Sequence, residues 1–164
     1  MSAAEPDTRR PADERPEPRG GGPGPLLGID PGTRRIGVAI SDAGRTIALP
    51  LEVIERGKDD AWVRRIAELA GERGVAGVVV GLPVRMDGSE GPEAAEARRL
   101  AGTLRERLGV PAVLVDERFT SVAANRAMAS ADVDSRRRRP VVDKVAAAIL
   151  LQSHLDALRS RPPE

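Results

Sequence analysis

Three acidic residues stand where this chain could do chemistry. Asp30 closes the apolar run Leu26-Leu27-Gly28-Ile29, immediately before Pro31-Gly32. Glu117 follows Asp116 just past the short apolar segment Pro111 to Val115, and Asp143 lies three residues after Pro140, in the expected first turn of a helix. In open sheets, sites gather beyond strand ends, where loops expose backbone and side chains to ligand. Three carboxylates brought together there repel one another unless a cation neutralises them. Hard oxygen donors, with no cysteine in the chain, point to Mg2+ or Mn2+ rather than zinc. Such a cluster can hold two ions ~3.5–4 Å apart and stabilise both the attacking and the leaving oxygen of phosphodiester cleavage. That chemistry requires no histidine or serine nucleophile, and His154 is the one histidine present.

Each acid also has a plainer reading. Asp30 before Pro-Gly suits a turn, Asp143 suits the positive end of a helix dipole, and Glu117 suits a solvated strand end. Asp143 stands apart because its helical neighbours at +3, +4 and +7 are Ala146, Ala147 and Leu150. A carboxylate on that apolar, small-residue face needs a partner or a metal.

The elements that must position these acids follow from pattern. Leu26 to Asp30 and Arg35 to Ile40 are two strands around a four-residue turn, and Thr46 to Ile54 is a third, whose Pro50 predicts an edge or a bulge. From Asp59 the apolar period becomes helical through Trp62, Ile66, Leu69 and Ala70, and Gly74 ends that helix. Val75 to Val80 is continuously apolar enough for a central strand. A loop from Gly81 to Gly91 leads to a helix from Pro92 to Leu108, stopped by Gly109. A strand over Pro111 to Val115, a helix capped by Thr120 or Ser121 and running to about Ser130, and a polar mobile segment from Ala131 to Arg139 follow. Pro140 then opens the last helix, with Val141, Val145, Ala148, Ile149 and Gln152 as its stripe. The order β-β-β-α-β-α-β-α-α predicts an α/β fold, a mixed sheet of about five strands with helices on both faces.

The 164 residues suit one domain of ~100–200 residues. Residues 1–25 hold six of fourteen prolines, four of seventeen glycines and nine charges, and are expected to form a disordered extension whose deletion spares activity. Residues 26–160 are expected to be the folded domain. No secretory apolar stretch and no ~20-residue membrane span occur, so a cytoplasmic protein without a membrane partner is expected. The net charge of +1 is uninformative until divided: residues 118–139 carry six arginines against Asp132 and Asp134, a local +4. Arg136, Arg137, Arg138 and Arg139 suit backbone phosphate, giving affinity and salt dependence rather than sequence readout, unless they are simply a solvated run. Arg34 and Arg35 in the first turn are further nucleic-acid candidates. So is Arg118, as a phosphate clamp or as an ion-pair partner of Asp116.

The stretch Gly28-Ile29-Asp30-Pro31-Gly32-Thr33-Arg34-Arg35-Ile36-Gly37-Val38-Ala39-Ile40-Ser41-Asp42 resembles the opening motif of the YqgF (RuvX) family of pre-16S rRNA nucleases, also described as Holliday junction resolvases. Val80-Gly81-Leu82-Pro83 with Met86-Asp87-Gly88, Asp116 to Ser121, and Val142-Asp143 with Ala146 to Ser153 resemble its later motifs, in order. The resemblance covers about residues 26 to 158. It implies an RNase H-like fold, a divalent-metal site made by Asp30, Glu117 and Asp143 as catalytic residues, and a structured nucleic acid as substrate. That substrate is precursor 16S rRNA or a four-way DNA junction, cut by a monomer or homodimer. Lys144, where the family commonly has a small polar residue, and Arg139-Pro140-Val141-Val142 depart from the pattern. A binding scaffold without turnover is the alternative of another class. An actin-like phosphotransferase also opens on an Asp-x-Gly hairpin, but closes two domains around its nucleotide.

Overall fold

The structure, a computed structural model, describes residues 22–118 and 135–160, with side chains of the last helix described from Asp143 onward. The expected helix over Thr120 to Ser130 and nearly all of the N-terminal extension lie outside the described residues. Strands β1 (Leu26–Pro31), β2 (Arg35–Ser41) and β3 (Ala48–Glu55) form the antiparallel meander that tight turns dictate. Helix α1 (Ala61–Glu72), strand β4 (Gly77–Leu82), helix α2 (Pro92–Leu108) and strand β5 (Ala112–Asp116) follow, and the last described element is helix α3 (Ser135–Ser160). The sheet order is β3-β2-β1-β4-β5, with β4 parallel to both β1 and β5.

Pro50 fits where it cannot harm the ladder. It lies on edge strand β3, facing Ala39, and the register slips between Val38 and Ala39 so that Leu51 is the extra residue of a bulge. Strand β4 is apolar on both faces because helices cover both. Val78 and Val80 face a core with Val63, Ile66, Leu69 and Ala70 of α1 and Ala97, Leu100, Ala101 and Leu104 of α2. Val79 faces the second core, under α3.

Several boundaries and faces differ from the sequence expectation. Strand β4 starts at Gly77 rather than Val75, because the Val75 N–H still bonds the Ala70 carbonyl at 3.0 Å to close α1, with Gly74 left-handed at φ 61°. Trp62 is half-buried rather than central: Val63 takes the inward position, and the Arg56 guanidinium lies 5.0 Å from the Trp62 ring centroid. The inward stripe of α3 is Ala147, Ala148, Leu150, Leu151 and Leu155, rotated from the expected one. Gln152 lies at the margin, where its Oε1 accepts from the Ala48 N–H at 2.9 Å and its Nε2 donates to the Thr46 carbonyl at 3.0 Å. Finally, α3 begins at Ser135, so the backbone of Arg136–Arg139 is helical instead of a loop and Pro140 lies inside the helix. Arginine is a strong helix former, and Pro140, one turn in, removes the bond to the carbonyl four residues earlier and crowds it, a cost this first turn of α3 carries.

Candidate active site

Asp30 is the penultimate residue of β1, the strand between β2 and β4, and pairs with Gly37. Beyond β5 the chain stays extended: Leu82 pairs with Asp116, and the Glu117 N–H donates to the Leu82 carbonyl at 3.1 Å. This carries Glu117 to the same end of the parallel strands as Asp30, with β4 between them. A glycine makes room there, since a Cβ built on Gly81 would overlap the Glu117 carboxyl group. Gly37 does the same for the third acid, because a Cβ there would overlap the backbone carbonyl of Asp143. With Gly28 lying under Leu151 and Ala147, two bare strand positions let α3 settle close across β1 and β2.

The acids meet through Asp30. Burial pushes the Glu117 carboxyl up to about 10, and the neighbouring Asp30 carboxyl and the charge of Asp116 add to the effect. Glu117 is therefore protonated at neutral pH. Asp143 is also raised, chiefly by burial and further by the charge of Asp30, although the Nε–H of Arg35 donates to its Oδ2 at 2.9 Å and opposes the shift. Desolvation outweighs the ion pair because only part of the guanidinium charge reaches a carboxylate that has lost much of its water.

Among the described residues, no three acidic or histidine side chains stand grouped as a ready metal cage. Instead, Glu117 is held in its neutral form and Asp143 is paired with Arg35. A divalent cation fits this donor set: the oxygens are hard, a proton already stands in for positive charge, and two of the three carboxylates are destabilised as anions without a cation.

The other candidate residues divide. Arg34 is exposed in the turn after Asp30. Arg35, expected to meet nucleic acid, is engaged by Asp143. Arg118 is held by Asp116, whose Oδ2 accepts from its Nε at 2.9 Å and whose Oδ1 accepts from its backbone N–H at 2.9 Å. These bonds, side chain first, hold the Asp116 carboxyl below its usual range. The ion-pair reading of Arg118 is thus met, next to Glu117. The Arg136–Arg139 side chains lie outside the described ones.

Three contributors escaped the sequence reading. Gly37 and Gly81 were visible only as motif letters, although each sits beside a strand end. Arg56 had no local signal: its N–H donates to the Arg34 carbonyl at 2.8 Å, its Nη1 donates to the Gly32 carbonyl at 3.1 Å, and its Nη2 pairs with Glu96 at 3.1 Å, bracing the turn after Asp30 against α2.

A mixed sheet of this order, covered by helices on both faces and carrying carboxylates at the end of its parallel strands, defines an RNase H-like domain. The solved structure of T. thermophilus RuvC in complex with a Holliday junction substrate shares the fold, with a TM-score of 0.52 at 18% identity, over 83% of this chain and 96% of that one. The chain belongs to the RuvX family, whose sequence model, described as Holliday junction resolvase, matches residues 24–157. Relatives named "Putative pre-16S rRNA nuclease" include that of Rhodospirillum rubrum, 47% identical over 141 residues (85% of this chain, 88% of the relative). Those of Acidiphilium cryptum, 42% over 139 residues (85% and 88%), and Myxococcus xanthus, 46% over 138 residues (84% and 90%), carry the same name.

Proposed function

We propose that this chain is a divalent-metal-dependent endonuclease that hydrolyses phosphodiester bonds in structured nucleic acid, acting in 5′-end processing of precursor 16S rRNA. One observation carries the reading: in a RuvX-family chain, Glu117, raised by burial, neighbours Asp30 at the strand ends, and Asp143 lies within electrostatic reach of Asp30. Holding these acids near one another without a cation costs stability, and a cation-dependent reaction on a polyanion explains why the fold tolerates it.

Asp30, Glu117 and Asp143 would hold Mg2+ or Mn2+, which supplies Lewis-acid activation of water and stabilisation of the departing oxygen. Glu117 would give up its proton to do so, and Asp143 would exchange Arg35 for the cation. Arg35, released but tethered at the start of β2, and the exposed Arg34 then lie beside the site where a phosphate would bind. Arg118, aligned by Asp116 next to Glu117, is a further guanidinium for backbone phosphate near the site, while the arginines of α3 add affinity that is independent of sequence.

The test is a side-by-side cleavage assay on precursor 16S rRNA ends and a mobile four-way DNA junction with Mg2+ or Mn2+. Wild type cuts the rRNA precursor, and Asp30→Asn and Asp143→Asn do not. Cleavage retained by either variant would sink the site assignment. Paired symmetric nicks in the junction, with the rRNA precursor untouched, would transfer the activity to junction resolution, the reading that the family's description favours. Salt-sensitive binding without cleavage of either substrate would leave a scaffold.

A further inference from the structure

The segment between β4 and α2 rises from the end of the strand that separates Asp30 from Glu117. It is not slack. Val84 and Glu90 bridge as a short antiparallel pair, the Arg85 N–H donates to the Ser89 carbonyl at 2.9 Å, and the Gly88 N–H donates to the Arg85 carbonyl at 2.8 Å. With Gly88 at φ 88°, this is a three-residue hairpin loop, a tight turn closed by a left-handed glycine. Asp87 locks the turn by accepting from the N–H and the hydroxyl of Ser89 at 2.9 and 2.6 Å. Glu90 ties the hairpin to α2 through a two-pronged pair with Arg98 at 2.8 and 2.9 Å. On the inner side, a Cβ on Gly88 would lie 4.0 Å from Nη1 of Arg118, so the hairpin stands next to the residue that follows Glu117.

The tip of this braced hairpin is Met86, 85% exposed and the most exposed large apolar side chain among the described residues. The braced backbone has prepaid the ordering of the loop, and the unbranched, adaptable thioether can shape itself to an irregular gap. Apolar side chains of this kind wedge between base steps in proteins that unstack duplexes. We propose that Met86 is such a wedge, entering a base step beside the scissile phosphate and unstacking it, so that paired substrate is opened where the acids can reach its backbone. The inference rests on the nuclease reading and gives its substrate a character: a nucleic acid with a stacked step at the cleavage point.

The test places 2-aminopurine at the bases flanking the cut in a paired rRNA-end substrate, with Ca2+ replacing Mg2+ so that the complex stays uncut. Wild type raises the fluorescence severalfold on binding. Met86→Ala, which should melt with wild type because its side chain packs against little, loses most of the rise, and Met86→Leu keeps it. In Mg2+, Met86→Ala also lowers the ratio of kcat/KM on paired to unpaired substrate about tenfold, or ~1.4 kcal/mol. A full fluorescence rise and an unchanged ratio in Met86→Ala would overturn the wedge. Should wild type cut nothing yet unstack the base through Met86, the wedge stands and the nuclease reading falls.

Discussion

Replacing Glu117 by glutamine separates what this residue costs the fold from what it does for the site. Its carboxyl is raised from 4.5 to about 10 by burial, so the folded state favours the protonated form. That preference stabilises the fold fully below about pH 4.5 and is lost as pH rises toward 10. Gln keeps the neutral shape at all pH. In chelator at pH 8, Glu117→Gln is expected to melt above wild type by a few degrees, since ~1 kcal/mol is worth ~2–4 °C at this size, with the difference vanishing near pH 4.5. Added Mn2+ should raise the melting temperature of wild type more than that of the variant, and cleavage by the variant should fall at least about a hundredfold. A variant less stable than wild type at pH 8 would show that the burial is not felt as described. At this scale the places of Asp30 and Glu117 were legible because strand ends leave local marks, whereas Asp143, expected in the first turn of a helix opened by Pro140, lies well inside α3, which begins at Ser135. The Arg35–Asp143 pair was not legible, because an ion pair spanning 108 residues has no local signature.

Among elements, the decisive contact is the docking of α3 on the sheet, and it turns on Gly37. Gly37→Ala must push the Asp143 carbonyl away from β2. It is expected to cost ~2–3 kcal/mol, in the range of overpacked sites, and to lower cleavage with it, read by denaturant melts and kcat. Gly81→Ala instead displaces only the Glu117 side chain, so metal affinity should drop more than stability, as isothermal titration with Mn2+ would show. The start of α3 yields a third outcome: changing Arg136–Arg139 to Gln should flatten the slope of log K against log salt by up to ~3 if each arginine meets a phosphate. An unchanged slope would mean a solvated run. The order of the elements along the chain and the helix cover on both faces were readable from apolar runs and turn residues. The inward stripe of α3 was not, because Ala and Leu crowd every side of Ala146 to Leu151 and no single face stands out.

For the whole molecule, the sequence placed the end of the dispensable extension at residue 25, whereas the structure ties residues 22–25 to the domain. Arg45, in a left-handed conformation at φ 56°, donates to the Gly22 and Gly24 carbonyls at 2.7 and 2.9 Å, and the Ala76 N–H donates to the Pro25 carbonyl at 2.9 Å. A chain starting at Gly22 should match the full chain in melting temperature and cleavage. One starting at Leu26 should lose on the order of 1–2 kcal/mol, because these donors must return to water. Composition marks where a chain cannot fold, but not where the sheet reaches back to collect its last residues. The packing of α3 against β1 and β2 has one more effect, in time rather than in space. The third acid and the cover for the second core reach the site from the far end of the chain, so a growing polypeptide carries Asp30 long before it can complete the centre. On the proposed reading, an RNA-cutting enzyme built in this order would stay inert until Asp143 through Leu155 have closed over the first hairpin.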